Sequence, residues 1–111
     1  MGGIKTMQFY ERLYTGERAE GKRFTILQNL RRKKIQLGVY VITPASGGNN
    51  LLDIYHCSEI FRPWYEKEDL LIVGIALGYD DACLLAGQIV NEVYRATGGF
   101  DVKQYLLKNV R

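Results

Sequence analysis

The sequence predicts one α+β domain: a small three-stranded, mainly antiparallel sheet, a long C-terminal helix across one face, and further helices at both ends. Three observations predict it. Residues Leu70–Leu77, LLIVGIAL, are all apolar or glycine, so the run fits a strand covered on both faces. After Gly78, the stretch from Tyr79 to Thr97 places Ala82, Leu85, Ala86, Ile89, Val93 and Ala96 at helical spacing, which makes one apolar stripe. Gln36–Thr43, QLGVYVIT, and Leu51–Tyr55 flank a Pro-Ala-Ser-Gly-Gly-Asn-Asn loop, the pattern of an antiparallel hairpin.

The central run alternates Leu70, Ile72, Gly74 and Ala76 on one expected face with Leu71, Val73, Ile75 and Leu77 on the other. It is far shorter than the ~20 residues of a membrane span. Asp80 and Asp81 fall in the first turn of the helix that follows, where the dipole favours carboxylates. Gly98 and Gly99 provide its C-cap. Gly74-x-x-x-Gly78 has neither the third glycine of a dinucleotide fingerprint nor the Lys-Ser/Thr of a P-loop. The same two aspartates would repel a phosphate, so the glycines read as structural.

The 111 residues form one expected domain, 1–111, with 1–17 as a loosely packed extension. With 47% hydrophobic and 24% charged residues, the composition is that of an ordinary globular chain. Cys57 and Cys83 with no secretory leader suggest reduced thiols and a cytoplasmic location. Met1-Gly2-Gly3-Ile4-Lys5-Thr6 fits the loose myristoylation pattern, though Met7 equally fits a start. No membrane partner is expected. A single histidine, His56, leaves little material for a metal or proton-relay site, and no cofactor is expected.

At the N-terminal end, Gln8–Tyr14 is expected to form a short helix. Arg18–Lys34 is expected to form a second, with Phe24, Leu27 and Leu30/Arg31 on its core face. Residues 1–34 hold nine Lys/Arg and three Asp/Glu, and residues 35–111 hold six and nine, so +6 and −3 sum to the net +3. Lys22, Arg23, Arg31, Arg32, Lys33 and Lys34 are the candidate residues for nucleic acid or a partner. The plainer reading is dipole complementation at a helix end. A third is that this basic half meets the acidic half of another copy.

Within the hairpin, Leu37, Val39 and Val41 are expected on one face, Gly38, Tyr40 and Ile42 on the other. In Tyr55-His56-Cys57-Ser58, a Cys beside a His raises the question of a nucleophile and its base. Neighbours along a strand point apart, so the pair is badly placed for that work. Ser58 is the expected N-cap of a short helix, Glu59–Arg62. Arg62, Trp64 and Tyr65 form an aromatic patch suited either to a partner interface or to the rim of the core. Glu66–Asp69 reads as an acidic connection. Asp101 and Gln104 mark the start of a closing helix with Val102, Tyr105, Leu106 and Val110 on its apolar face, and Phe100 is expected to staple onto Tyr105.

LGVYVIT, NNLLDIYH, DLLIVGIALGYDDA and EVYRATGGFDVKQYL together resemble a group of small uncharacterised proteins of Gram-positive, Firmicutes-type bacteria, over about Ile26 to Leu107. The resemblance implies a bacterial, cytoplasmic chain and carries no activity with it. The functional expectation is a non-catalytic protein-interaction or assembly module, a homodimer formed through the second sheet face. The alternative is a nucleic-acid-associated protein using the basic N-terminal helix.

Overall fold

The computed structural model describes residues 7–45, 51–61 and 70–108. Its elements are β1 (Met7–Thr15), a 3-10 turn (Glu17–Lys22), α1 (Arg23–Arg31), β2 (Val39–Pro44), β3 (Leu52–His56), α2 (Cys57–Ile60), β4 (Leu70–Leu77), α3 (Tyr79–Thr97) and α4 (Val102–Lys108). The α+β class holds, but the sheet has four strands in the order β1-β4-β2-β3, with β1 parallel to β4 and the other pairs antiparallel.

The added strand is β1, expected as a short helix in a loose extension. Its residues alternate between the two layers: Met7, Phe9 and Leu13 pack toward α1, Tyr10 and Tyr14 toward α3. That alternation is the two-residue period of a strand, and the aromatic-rich composition favours it.

β4 is covered on both sides, as its composition requires. On one side Ala19 of the 3-10 turn, Ile26 and Leu30 of α1, and Cys57 and Ile60 of α2 enclose Ile72 and Ile75. On the other, Leu85, Ile89 and Val93 of α3 and Val102 and Leu106 of α4 enclose Val73. The second face is thus filled by helices of the same chain, which removes the bare surface on which a symmetric dimer was expected.

The expected alternation along β4 breaks between Val73 and Gly74. Leu70, Ile72, Ile75 and Leu77 pack toward α1, while Leu71 and Val73 pack toward α3. Gly74 faces α3 as well, since a Cβ there would stand 3.2 Å from Leu85 Cδ2. The β1–β4 register is irregular at the same place, passing from Phe9↔Ile72 to Tyr14↔Gly74.

α1 is also rotated from its expected phase. Ile26 and Leu30 are buried, while Phe24 is 73% exposed. At 100° per residue Phe24 lies 200° from Ile26, so the two cannot share a face. α3 buries its expected stripe from Ala82 to Val93, while Ala96, expected on it, is exposed; the helix ends at Gly98, whose φ of 77° is the left-handed cap glycine favours. At the start of α4, Asp101 Oδ1 accepts from the Gln104 amide at 3.2 Å. Phe100, expected against Tyr105, is stacked on Tyr94 with centroids 5.0 Å apart.

Two polar contacts lock the layers. Glu92 Oε2 on α3 accepts from the Tyr14 hydroxyl at 2.7 Å and from the Tyr105 hydroxyl at 3.3 Å, joining β1, α3 and α4. Asp81, 5% exposed, accepts the Leu77 amide through Oδ2 at 3.1 Å, and Gly16 lies directly against the same carboxylate.

Gly16→Ala is therefore expected to destabilise the fold by about 1–3 kcal/mol, because its Cβ would overlap Asp81. In an Asp81→Ala background the same change costs less, and urea unfolding of the cycle measures the difference. Tyr14 gives a pH signature. Burial first, then its hydrogen bond to Glu92, raises the phenol above its ordinary range. The unfolded chain loses that proton near pH 10 while the folded chain keeps it. The stability from Tyr14 is complete below about pH 10 and declines as pH rises above it. Thermal melts from pH 8 to 11 are expected to fall less steeply for Tyr14→Phe at the alkaline end.

Candidate interaction surface

The segment joining α1 to β2 combines the densest positive charge with two outward aliphatic side chains, and its shape follows from local chemistry. At the end of α1 the Lys33 amide donates to the Leu30 carbonyl at 3.0 Å and the Lys34 amide to the Asn29 carbonyl at 2.9 Å. This bond pair is a Schellman close, which needs a left-handed residue where glycine is usual. Here that residue is Lys33, with φ 57°.

Gln36 then pins the segment to the body. Its amide donates to Cys57 Sγ at 3.3 Å, and its carbonyl accepts from the Cys57 thiol at 3.3 Å. Its side-chain Nε2 donates to the Ile26 carbonyl, and its Oε1 accepts from Asn29 Nδ2, both at 3.3 Å. The Val39 amide donates to the Gln36 carbonyl at 3.3 Å, and Gly38 has φ 77°, which closes a β-turn with Leu37 at its apex. The Gly38 carbonyl accepts from the Gly78 amide at 2.7 Å. With Gln36 turned inward, its neighbours face out: Ile35 is 66% exposed and Leu37 93%.

Leu37 was expected inside a strand that began at Gln36. The glycine after it, at a position needing positive φ, starts the strand at Val39 instead. That Leu-Gly pair was the available signal for a turn, and the apolar alternation hid it.

The six candidate cations divide between the two ends of α1. Arg31, Arg32, Lys33 and Lys34 are exposed on the bend at its C-terminal end, where the dipole favours them. Arg31 lies over the Phe9 ring at 4.8 Å, a cation–π contact. Lys22 and Arg23 lie exposed at the other end of this nine-residue helix, about 13 Å away at 1.5 Å per residue. Arg23 Nε donates to Thr15 Oγ1 at 3.2 Å. Arg62, Trp64 and Tyr65 lie outside the described residues, as do Gly2, the 46–50 loop tip, the 66–69 connection and Val110.

His56 and Cys57 separate to opposite sides of the sheet. Cys57 is buried in the α1 layer, and burial raises its thiol above the ordinary range, partly offset by backbone hydrogen bonds. His56 is the N-cap of α2, the role expected of Ser58. Its Nδ1 accepts from the Ser58 amide at 3.2 Å, and the His56 amide donates to Glu59 Oε1 at 3.1 Å. The imidazole stands edge-on to Tyr40, which in turn meets Tyr79. Cys83, exposed and free, sets the Tyr79 phenol above its usual range chiefly through a side-chain hydrogen bond. Among the described residues no group of three His, Cys, Asp or Glu side chains is placed to hold a metal ion, and no helix is long and apolar enough to cross a membrane.

The start of α3 is tied back to the strand before it. Asp81 takes the Leu77 amide, and Gly74 is packed beneath Leu85 and Ile42. The two glycines of the turn are explained by packing at Gly74 and by the positive φ of Gly78.

Compared with known proteins, the chain matches no family model, no curated protein and no solved structure.

A left-handed lysine costs roughly 1–2 kcal/mol relative to glycine. Lys33→Gly is therefore expected to raise the urea midpoint, with a gain of about 1 kcal/mol.

Proposed function

We propose that the protein is a non-catalytic interaction module that presents the 31–38 bend to a protein partner bearing carboxylates around an apolar recess. The carrying observation is the outward display of Ile35 and Leu37 on either side of the anchored Gln36, beside Arg31–Lys34. Burying an aliphatic side chain is worth about 1.5–3 kcal/mol, and a pre-set bend loses little conformational entropy when it docks. The flanking cations supply orientation and encounter rate more than affinity. A bacterial cytoplasmic setting, implied by the resemblance and by two free thiols, belongs to the same reading.

Nucleic acid is the second reading, and Phe24 favours it. This aromatic is 73% exposed in the first turn of α1, beside Arg23 and the preceding Lys22, and single strands bind where bases stack on aromatics beside cations. The bend ranks above it because its own outward side chains are aliphatic, which suits a protein recess better than a base face.

A photo-crosslinking residue placed at position 37 in the full chain, in its native cells, tests the assignment. A protein adduct that Arg31→Glu/Arg32→Glu suppresses is the expected result. Leu37→Asp, on a side chain that makes little contact with its own fold, is expected to abolish partner binding in a direct titration while leaving the melting temperature within a few degrees. Absence of any protein adduct overturns the reading. Salt-sensitive binding of a labelled single-stranded oligonucleotide that Phe24→Ala weakens transfers the assignment to nucleic acid.

A further inference from the structure

We infer that the partner recess lies on a second copy of this chain, so that copies join head to tail; the inference rests on the protein-docking reading of the bend. The recess is a cleft between the end of β1, the 3-10 turn and the first half of α3. It encloses about 300 Å³, with Gly16, Glu17, Glu20, Asp81 and Leu84 in its wall, at the small end of the range for ligand pockets. Glu17 and Glu20 are exposed, and Leu84 is 68% exposed although it stands on the longest helix among the described residues. The buried carboxylate of Asp81 adds negative charge to the wall.

No Lys or Arg is among the described residues that line the cleft. The Arg18 guanidinium lies against Gly78, where a Cβ would stand 3.2 Å from its Nη1, and Arg23 meets the wall through its hydrogen bond to Thr15. The cleft therefore offers carboxylates around an exposed leucine. The bend offers Arg31–Lys34 around Ile35 and Leu37. One chain carries both halves of a complementary pair on different elements.

Two bends placed face to face would repel, as would two clefts, so a two-fold symmetric contact through either alone is disfavoured. Bend into cleft uses two different patches, the heterologous arrangement, which extends from copy to copy until a ring closes or a chain grows.

The test is the solution mass of the full chain by light scattering over rising concentration, at low and high salt. Growth beyond the monomer that salt suppresses is expected. Arg31→Glu/Arg32→Glu and, separately, Glu17→Lys/Glu20→Lys are each expected to weaken association about tenfold or more. Mixing the two variants is expected to restore it, because native bend then meets native cleft and reversed bend meets reversed cleft. All four positions are exposed, and melting curves verify that each variant is folded. A wild-type chain that stays monomeric throughout overturns the inference and leaves the docking reading to the crosslink at position 37. Association lost on bend reversal but untouched by cleft reversal overturns the cleft assignment alone. Association that survives both reversals overturns this inference and also removes the bend as its surface.

Discussion

Everything in this fold follows from a strand that has no wet side. β4 sits between β1 and β2, and its side chains are apolar on both faces, so water must be excluded twice. α3 follows β4 through a single glycine and lies back across one face, with α4 beside it. The other face is served by segments that precede the strand in the chain: the 3-10 turn, α1 and α2. Because those elements are short, their side of the core depends on Ile26, Leu30, Cys57 and Ile60, each at or below 5% exposed.

The sequence showed most clearly where a single period ran long. The β4–α3 unit, the left-handed cap at Gly98 and the Asp101 start of α4 stand where their residues predict. β1 was misread because Phe9, Tyr10, Leu13 and Tyr14 satisfy both a loose helical spacing and a strand alternation over so short a span. Only the partner strand decides between them, and that partner lies some sixty residues away. The phase of α1 failed within the helix itself: Phe24, Leu27 and Leu30 fit a helical spacing, yet Ile26 is the residue buried beside Leu30 and Phe24 is exposed. Among the site residues, the cations of the bend were legible from their clustering alone. Ile35 and Leu37 were not, since their exposure depends on Gln36 finding Cys57 and Ile26 across the α1–α2 layer.

The bend also shows how a chain keeps an apolar side chain out of its own core. Leu37 is adjacent to a strand of buried valines and would continue their alternation if the backbone stayed extended. The positive φ of Gly38 and the inward pull of Gln36 break that continuation. On the other side, the left-handed Lys33 turns the chain off α1 at the point where its cations would otherwise run on along the helix. The result is a hydrogen-bonded bend built from ordinary backbone devices.

The parallel pairing of β1 with β4 has a bearing on synthesis. Met7 pairs with Leu70, and Thr15 with Ile75; the hydroxyl of Tyr14 finds its acceptor 78 residues further on. As the chain leaves the ribosome, its first strand has no sheet partner until β4 has emerged, and its tyrosine tie waits for most of α3. Until then an aromatic-rich segment lacks its sheet partner, and the β2–β3 pair lacks its central neighbour. Among the described strands the edge strand is thus made before its only sheet neighbour, so closing the sheet waits on β4 and α3 rather than on the hairpin between them.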